Sequence, residues 1–118
     1  MATPVGPYTP IVRAGDWLVV SGQFGLADGK LATGGMEAEL RQALANLSAL
    51  LQSEGATLAD VTKTTVFLRH LASDYPRMNE VYVEVFGDRR PARSAIGVAE
   101  LPIGALVEVE AWAHLGAG

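Results

Sequence analysis

Residues 36–54, MEAELRQALANLSALLQSE, predict one long amphipathic helix. Its large apolar side chains recur every three or four residues and so share one side of a helix. They are Met36, Leu40, Leu44, Leu47 and Leu51, with Ala43 and Leu50 widening the stripe. Glu37 and Glu39 lie near the positive end of the helix dipole, and Gly55 is a natural stop. Such a stripe is typical of a helix that packs on one side against a core.

Strands are predicted on both sides of this helix. Residues 11–20 form a hairpin that turns at Ala14-Gly15-Asp16. Gly22 and Gly25 follow, where a bulge or a close backbone approach is expected. Residues 60–68, DVTKTTVFL, alternate and are rich in β-branched side chains, which favours a strand.

A second helix and two further strands complete the chain. The helix is predicted from Ser73 or Asp74 to Phe86, with Pro76 in its first turn and Gly87 as its stop. The segment 90–113 then gives two strands around a turn at residues 101–104. The predicted order is β-β-α-β-α-β-β, an α+β domain with two helices on one face of a sheet.

The last strand has no cleanly polar side. Its alternating sets are Val107, Val109, Ala111 and Ala113 against Leu106, Glu108, Glu110 and Trp112. The chain is also 49% hydrophobic and only 19% charged, which is apolar for a soluble domain. Because 118 residues make a single domain, 1–118, the second cover of the sheet is most simply a neighbouring subunit.

Charge and composition argue against several classes of partner. The net charge is −4, with Lys30 and Lys63 as the two lysines, so neither nucleic acid nor an anionic membrane is the expected partner. The absence of cysteine excludes disulfides and thiolate catalysis. Neither a signal peptide nor a membrane span is visible, so a cytosolic location is expected.

Arg93 is unusual on a strand this apolar, and two interpretations are open. It is a surface arginine at a strand end or a partner of Glu108 or Glu110 in an interface salt bridge, or it binds a substrate carboxylate through its planar fork. The neighbours Ala92, Ser94, Ala95 and Gly97 are all small. They leave room beside the guanidinium, which favours the second interpretation.

Glu108 and Glu110 project from the same side of the last strand, two residues apart. They are either one solvated strand face or a site in which one carboxylate moves a proton or orients a water. A hairpin register centred on Pro102 places Glu108 opposite Ile96 and Arg93 on the other face. A site that uses both groups is then more easily built between subunits than within one.

Four further residues are candidates for lining a site. Tyr8, in GPYTP, is either a packed turn residue or a hydroxyl directed into a cleft. Ser21 and Gly22, in VSGQ, offer a hydroxyl and an unobstructed N–H, or simply form a bulge. Asn79 lies at the edge of the second helix stripe, where an amide commonly caps a loop.

Metal, cofactor and lysine chemistry are not expected. His70 and His114 are far apart and lack partners at metal-ligand spacing. Gly34 and Gly35 indicate a helix entry rather than a phosphate loop. Lys63 lies in a threonine-rich strand that does not suggest the desolvated pocket of a Schiff-base lysine.

The chain resembles the reactive intermediate deaminase family, RidA/YjgF, over almost its whole length. The matching pieces are GPYTPIV, LVVSGQ, QALANLSALL, EGATLADVTKTTVFL, MNEVYVEVFG and RPARSAIGVAELPIGALVEVEA. The resemblance implies a chorismate-mutase-like fold with one mixed sheet of about six strands. It further implies a homotrimer whose sheets form a central β-barrel, with active sites in the clefts between subunits.

The implied activity is hydrolysis of 2-enamines and 2-imines to 2-keto acids and ammonia, without a cofactor. By resemblance, Arg93 binds the substrate carboxylate, Glu108 holds the attacking water or exchanges protons with the imine nitrogen, and Tyr8, Ser21, Gly22 and Asn79 line or adjoin the pocket.

Two departures from the family pattern accompany this match. Many relatives carry cysteine where this chain has Ala95, and the segment between Asn79 and Arg93 is short. Two alternative functions stay open: a trimer that binds small carboxylates without turnover, and an RNA-directed activity, which the negative net charge disfavours.

Overall fold

The computed structural model describes residues 4–116. Its strands and helices are β1 (Ile11–Ala14), β2 (Trp17–Gln23), β3 (Leu26–Ala27), β4 (Lys30–Leu31), α1 (Gly35–Ser53), β5 (Val61–Leu68), α2 (Leu71–Phe86), β6 (Ala92–Gly97) and β7 (Val107–His114). Short 3-10 turns at 58–60 and 102–104 precede β5 and β7. The α+β class and the two helices agree with the prediction.

The main sheet has five strands in the order β1-β2-β7-β5-β6. Only β5 and β6 are parallel, which makes the sheet mixed, and α2 supplies the crossover that a parallel pair requires. The expected count of about six strands was therefore wrong for this sheet. The remaining two, β3 and β4, form a separate small ladder that the sequence analysis missed.

The predicted hairpin between the last two strands was also wrong, because β5 lies between β6 and β7. Thr64 is paired with Arg93 on one side and with Ala111 on the other. Phe67 is likewise paired with both Ile96 and Glu108. The residues predicted to lie opposite each other on the last two strands are therefore level across the sheet, but β5 lies between them. Strand β5 takes this central place because it is buried and apolar.

Both helices cover one face of this sheet. The fully buried strand residues point toward the helices, among them Leu18, Val66, Leu68, Val107, Val109 and Ala111. They pack against the leucine stripe of α1 and the Met78, Val81 and Tyr82 stripe of α2. The opposite face, called here the open face, carries the exposed side chains of Trp17, Ile96 and Trp112.

The helix ends differ slightly from the prediction. Helix α1 ends at Ser53, and Gly55 has a φ of 81°, so glycine stops the helix as expected. Helix α2 begins at Leu71 rather than at Ser73 or Asp74, because the N–H of Asp74 already donates to the carbonyl of His70. Pro76 consequently lies in the second turn rather than the first.

Candidate active site

Strand β6 directs Arg93 toward helix α2, where its guanidinium meets three neutral acceptors. Nη1 donates to Asn79 Oδ1 at 2.8 Å and contacts Met78 Sδ at 3.4 Å. Nη2 donates to the hydroxyl of Tyr75 at 3.2 Å. These contacts fix the plane of the guanidinium without neutralising its charge.

Two aromatic rings accompany the same guanidinium. Its central carbon lies 4.9 Å from the ring centroid of Tyr82 and 5.6 Å from that of Tyr75, within the range of cation–π attraction. The Tyr82 hydroxyl is hydrogen-bonded to Thr64 at 2.7 Å in the core, and burial raises the pKa of this tyrosine. Tyr82 is therefore a buried, fixed ring beside Arg93, whereas the side chain of Tyr75 is exposed.

Arg93 forms no salt bridge with any acidic side chain within residues 4–116. The charge–charge pairs of the described chain involve Arg13, Arg41 and Arg77 instead. Arg93 therefore does not pair with Glu108 or Glu110 of its own chain. Beside the guanidinium, Leu71, Ala72, Tyr75 and Ala95 line an open concavity.

Glu108 lies on the open face, in a second concavity. The lining includes Tyr8, Ser21, Phe24 and Pro102, and Glu110 adjoins it. Burial raises the pKa of the Glu108 carboxyl, and the neighbouring Glu110 charge raises it further. A carboxyl with a raised pKa in a cleft is suited to accept and return a proton.

Gly22 makes room for Glu108. The ladder between β2 and β7 shifts register between Val20 and Gln23, so the predicted irregularity at Gly22 is confirmed. A Cβ at position 22 would overlap Oε2 of Glu108. The absence of a side chain at this position therefore allows the carboxylate to rest against the backbone of β2.

Tyr8 and Ser21 lie beside Glu108 with their hydroxyls partly engaged. The Ser21 hydroxyl donates to the carbonyl of Thr9 at 2.7 Å, which ties β2 to the segment that carries Tyr8. The Tyr8 hydroxyl accepts from the N–H of Val5 at 3.3 Å, and the side chain is 38% exposed. Tyr8 therefore keeps a hydroxyl proton available at the mouth of the concavity.

The candidate residues thus form two groups on opposite faces of the sheet. Arg93 and Asn79 meet on the helix-covered face, whereas Glu108 meets Tyr8, Ser21 and Gly22 on the open face. Arg93 is paired with Thr64, and Glu108 is paired with Phe67, three residues further along β5. Because side chains alternate between the faces of a sheet, Arg93 and Glu108 of one chain point to opposite faces. One chain does not bring the two groups together.

The sequence analysis missed Tyr75 and the buried Glu39. Tyr75, Asn79 and Tyr82 recur at helical spacing, and this polar edge of the α2 stripe was the available signal. Glu39 is buried, and its Oε1 accepts the N–H of Leu106 at 2.8 Å just before β7 begins. The backbone of Glu39 also contacts Gly25, where a Cβ would overlap it.

Residues 4–116 contain no cluster of three or more His, Cys, Asp or Glu side chains able to hold a metal ion. Lys63 Nζ donates to Ser94 Oγ at 2.7 Å, away from Arg93. In the same part of the chain, no helix has the length and apolar character needed to cross a bilayer.

Comparison with known proteins decides the family. A family model described as endoribonuclease L-PSP matches residues 1–115. The chain belongs to this family, RidA/YjgF. It is 41% identical over 113 residues to a RutC family protein of Pyrococcus horikoshii, covering 94% of this chain and 89% of that protein.

Other members of the RidA/YjgF family show the same extent of likeness. The 2-iminobutanoate/2-iminopropanoate deaminase of Homo sapiens is 39% identical over 114 residues, which cover 95% of this chain and 82% of that protein. The crystal structure of RidA from an Antarctic Psychrobacter superposes with a TM-score of 0.92 at 36% identity, covering 96% of this chain and 92% of the other.

Proposed function

We propose that this protein hydrolyses reactive 2-enamines and 2-imines, such as 2-aminoacrylate and 2-iminobutyrate, to 2-keto acids and ammonia. The observation that carries the proposal is Arg93, held by neutral partners and without an acidic partner in the described chain. Relatives of about 40% identity that are named imine deaminases support the same reaction.

Arg93 is the proposed carboxylate-binding group. A planar guanidinium binds both oxygens of a carboxylate at once, which fixes the orientation of the adjoining C=N carbon. Asn79 and Met78 hold Nη1, so the fork is in place before the substrate arrives. Such preorganisation lowers the barrier by removing orientational freedom in advance.

Glu108 is the proposed proton-handling group. Its carboxylate accepts a proton from water as the water oxygen adds to the electrophilic C=N carbon, which gives a carbinolamine, and then returns that proton to nitrogen. The C–N bond breaks as the new hydroxyl gives its proton to the carboxylate, which passes it to solvent, and the 2-keto acid and ammonia are left. An enamine first takes a proton on carbon, and the same water–carboxylate pair can deliver it. An iminium carbon is already electrophilic, so these steps need neither a metal nor a covalent nucleophile.

We further propose that the site is completed between subunits of a homotrimer with a central β-barrel, in the chorismate-mutase-like arrangement. The apolar open face supports this assembly, because exposed Trp17, Ile96 and Trp112 need a cover. The separation of Arg93 from Glu108 supports it as well. In this arrangement Arg93 of one subunit faces Glu108, Tyr8, Ser21 and Gly22 of the next.

The test generates 2-iminobutyrate in situ with an amino-acid oxidase or dehydratase and traps it with semicarbazide. Catalytic amounts of the protein should suppress semicarbazone formation and release 2-oxobutanoate, and Arg93→Ala should abolish the effect. Suppression only at stoichiometric amounts would instead favour the carboxylate-binding module. RNA binding or cleavage at low salt, with no effect on semicarbazone formation, would instead favour an endoribonuclease activity.

A further inference from the structure

We propose that Tyr75 is a substrate-binding residue whose hydroxyl donates a third hydrogen bond to the substrate carboxylate. This inference rests on the proposed function, because it assigns a role within the same carboxylate site. It starts from how the N–H groups of Arg93 are distributed among their partners.

The first step counts the donors of Arg93. A guanidinium has five N–H groups. Asn79 and Met78 engage Nη1, and Tyr75 engages one N–H of Nη2. The N–H of Nε and the second N–H of Nη2 have no acceptor among the described residues. These two donors, called here the free fork, are left for a carboxylate.

The second step places Tyr75 beside these free donors. Its hydroxyl oxygen lies 3.2 Å from Nη2, the atom that contributes half of the free fork. A carboxylate oxygen bound at Nη2 therefore comes within reach of the same hydroxyl. Since the hydroxyl oxygen already accepts from Arg93, its own proton is left to donate.

The third step concerns what the hydroxyl proton faces. No residue within 4–116 accepts a hydrogen bond from it, and the Tyr75 side chain is 40% exposed. The concavity beside it is otherwise lined by Leu71, Ala72 and Ala95, which offer only apolar side chains. The Tyr75 hydroxyl is thus the polar side chain that this concavity presents next to the free fork.

Tyr82 shows by contrast why this role falls to Tyr75. Both rings contact the guanidinium, but the Tyr82 hydroxyl is buried against Thr64 at 2.7 Å. Because this hydroxyl is already hydrogen-bonded in the core, Tyr82 contributes only its ring to the carboxylate site.

The experiment measures the affinity of the stable product 2-oxobutanoate by calorimetry for the wild type and Tyr75→Phe. The variant keeps the ring and removes only the hydroxyl. We expect its Kd to rise about tenfold, the usual effect of losing a hydrogen bond to a charged group. In the imine assay KM should rise by a similar factor while kcat is unchanged, because the bond is made equally in the ground and transition states.

Ser73→Ala, which removes an exposed hydroxyl from the same helix away from Arg93, is the matched control and should keep the wild-type Kd.

Two results would overturn the inference while leaving the proposed function intact: a wild-type Kd for Tyr75→Phe, or a fall in kcat with unchanged KM, which would make Tyr75 a positioning residue for Arg93. A wild type that neither binds 2-oxobutanoate nor turns over imine would instead refute the proposed function itself.

Discussion

The carboxylate of Glu108 lies directly against the backbone of Gly22, in the space that a side chain at position 22 would need. Gly22 does not have a positive φ, so alanine is compatible with its backbone conformation. A substitution there therefore acts through Glu108 rather than through strain.

Gly22→Ala is expected to displace the Glu108 carboxylate and lower kcat/KM about 10- to 100-fold, as small misplacements of a catalytic group do. Its melting temperature should fall little, because the flexible Glu108 side chain can rotate away. Gly25→Ala is the matched variant: there the new Cβ meets the backbone of Glu39, which cannot rotate away. It should lose stability instead. Equal losses of stability in both variants, measured by thermal unfolding, would contradict this account of Gly22.

Local patterns in the sequence were enough to predict the helices and the close approaches at Gly22 and Gly25. The α1 stripe and Gly55 fixed that helix nearly to its ends, because stripe and stop are properties of neighbouring residues. The start of α2 was misplaced since Pro76 is tolerated deeper in the helix than its preference for the first turn suggests.

Strand pairing was harder to predict because it depends on partners distant in sequence. Residues 90–113 look like a hairpin locally, yet β5 separates the two strands. Arg93 and Ala111 nevertheless share a row through Thr64, so the predicted opposition of Arg93 and Glu108 across the sheet was confirmed. Tyr75 was missed because it lies outside the apolar stripe, and only the fold places its hydroxyl at Nη2 of Arg93.

Asn79→Asp should weaken substrate binding while preserving the fold. The Asn79 oxygen accepts from Arg93 at 2.8 Å, and a carboxylate in the same position would pair with the guanidinium and compete with the substrate carboxylate. We expect KM to rise by about tenfold or more, with an unchanged or higher melting temperature. Asn79→Ala, which removes the acceptor without adding charge, should have the smaller effect on KM. An unaltered KM for Asn79→Asp in the semicarbazone assay would argue against Arg93 as the carboxylate-binding group.

The activity should fall in acid with an apparent pKa above that of an ordinary glutamate, because burial and Glu110 both raise the pKa of Glu108. As the pH drops through this raised pKa, the carboxylate takes up a proton and can no longer accept one from water. Glu110→Gln removes the like charge, so the acid limb of the kcat/KM profile should move to lower pH. A limb that stays in place in this variant would show that another group controls it.

The same pKa shift has a consequence for stability. Glu108 holds its proton more tightly in the folded than in the unfolded chain, so its ionisation lowers the free energy of unfolding as the pH rises through the folded-state pKa. Glu108→Gln should therefore melt at a higher temperature than the wild type at neutral pH. The difference should vanish in acid, where both states of the wild type are protonated. A variant that melts lower than the wild type at neutral pH would contradict the direction of the shift.

Subunit complementation tests the central claim most directly, since that claim is that Arg93 and Glu108 act together from different chains. Arg93→Ala and Glu108→Gln chains should each be inactive as homo-oligomers, whereas a mixed assembly should contain interfaces that retain both groups. Differently tagged chains are co-expressed, and the mixed assemblies are isolated on both tags and sized by light scattering. Every trimer that contains both kinds of chain has one intact interface, so about a third of the interfaces in the isolated assemblies should be intact. Recovery of imine deamination near that fraction is the predicted result, whereas a fully mixed trimer without recovered activity, or a monomeric protein, would contradict the account.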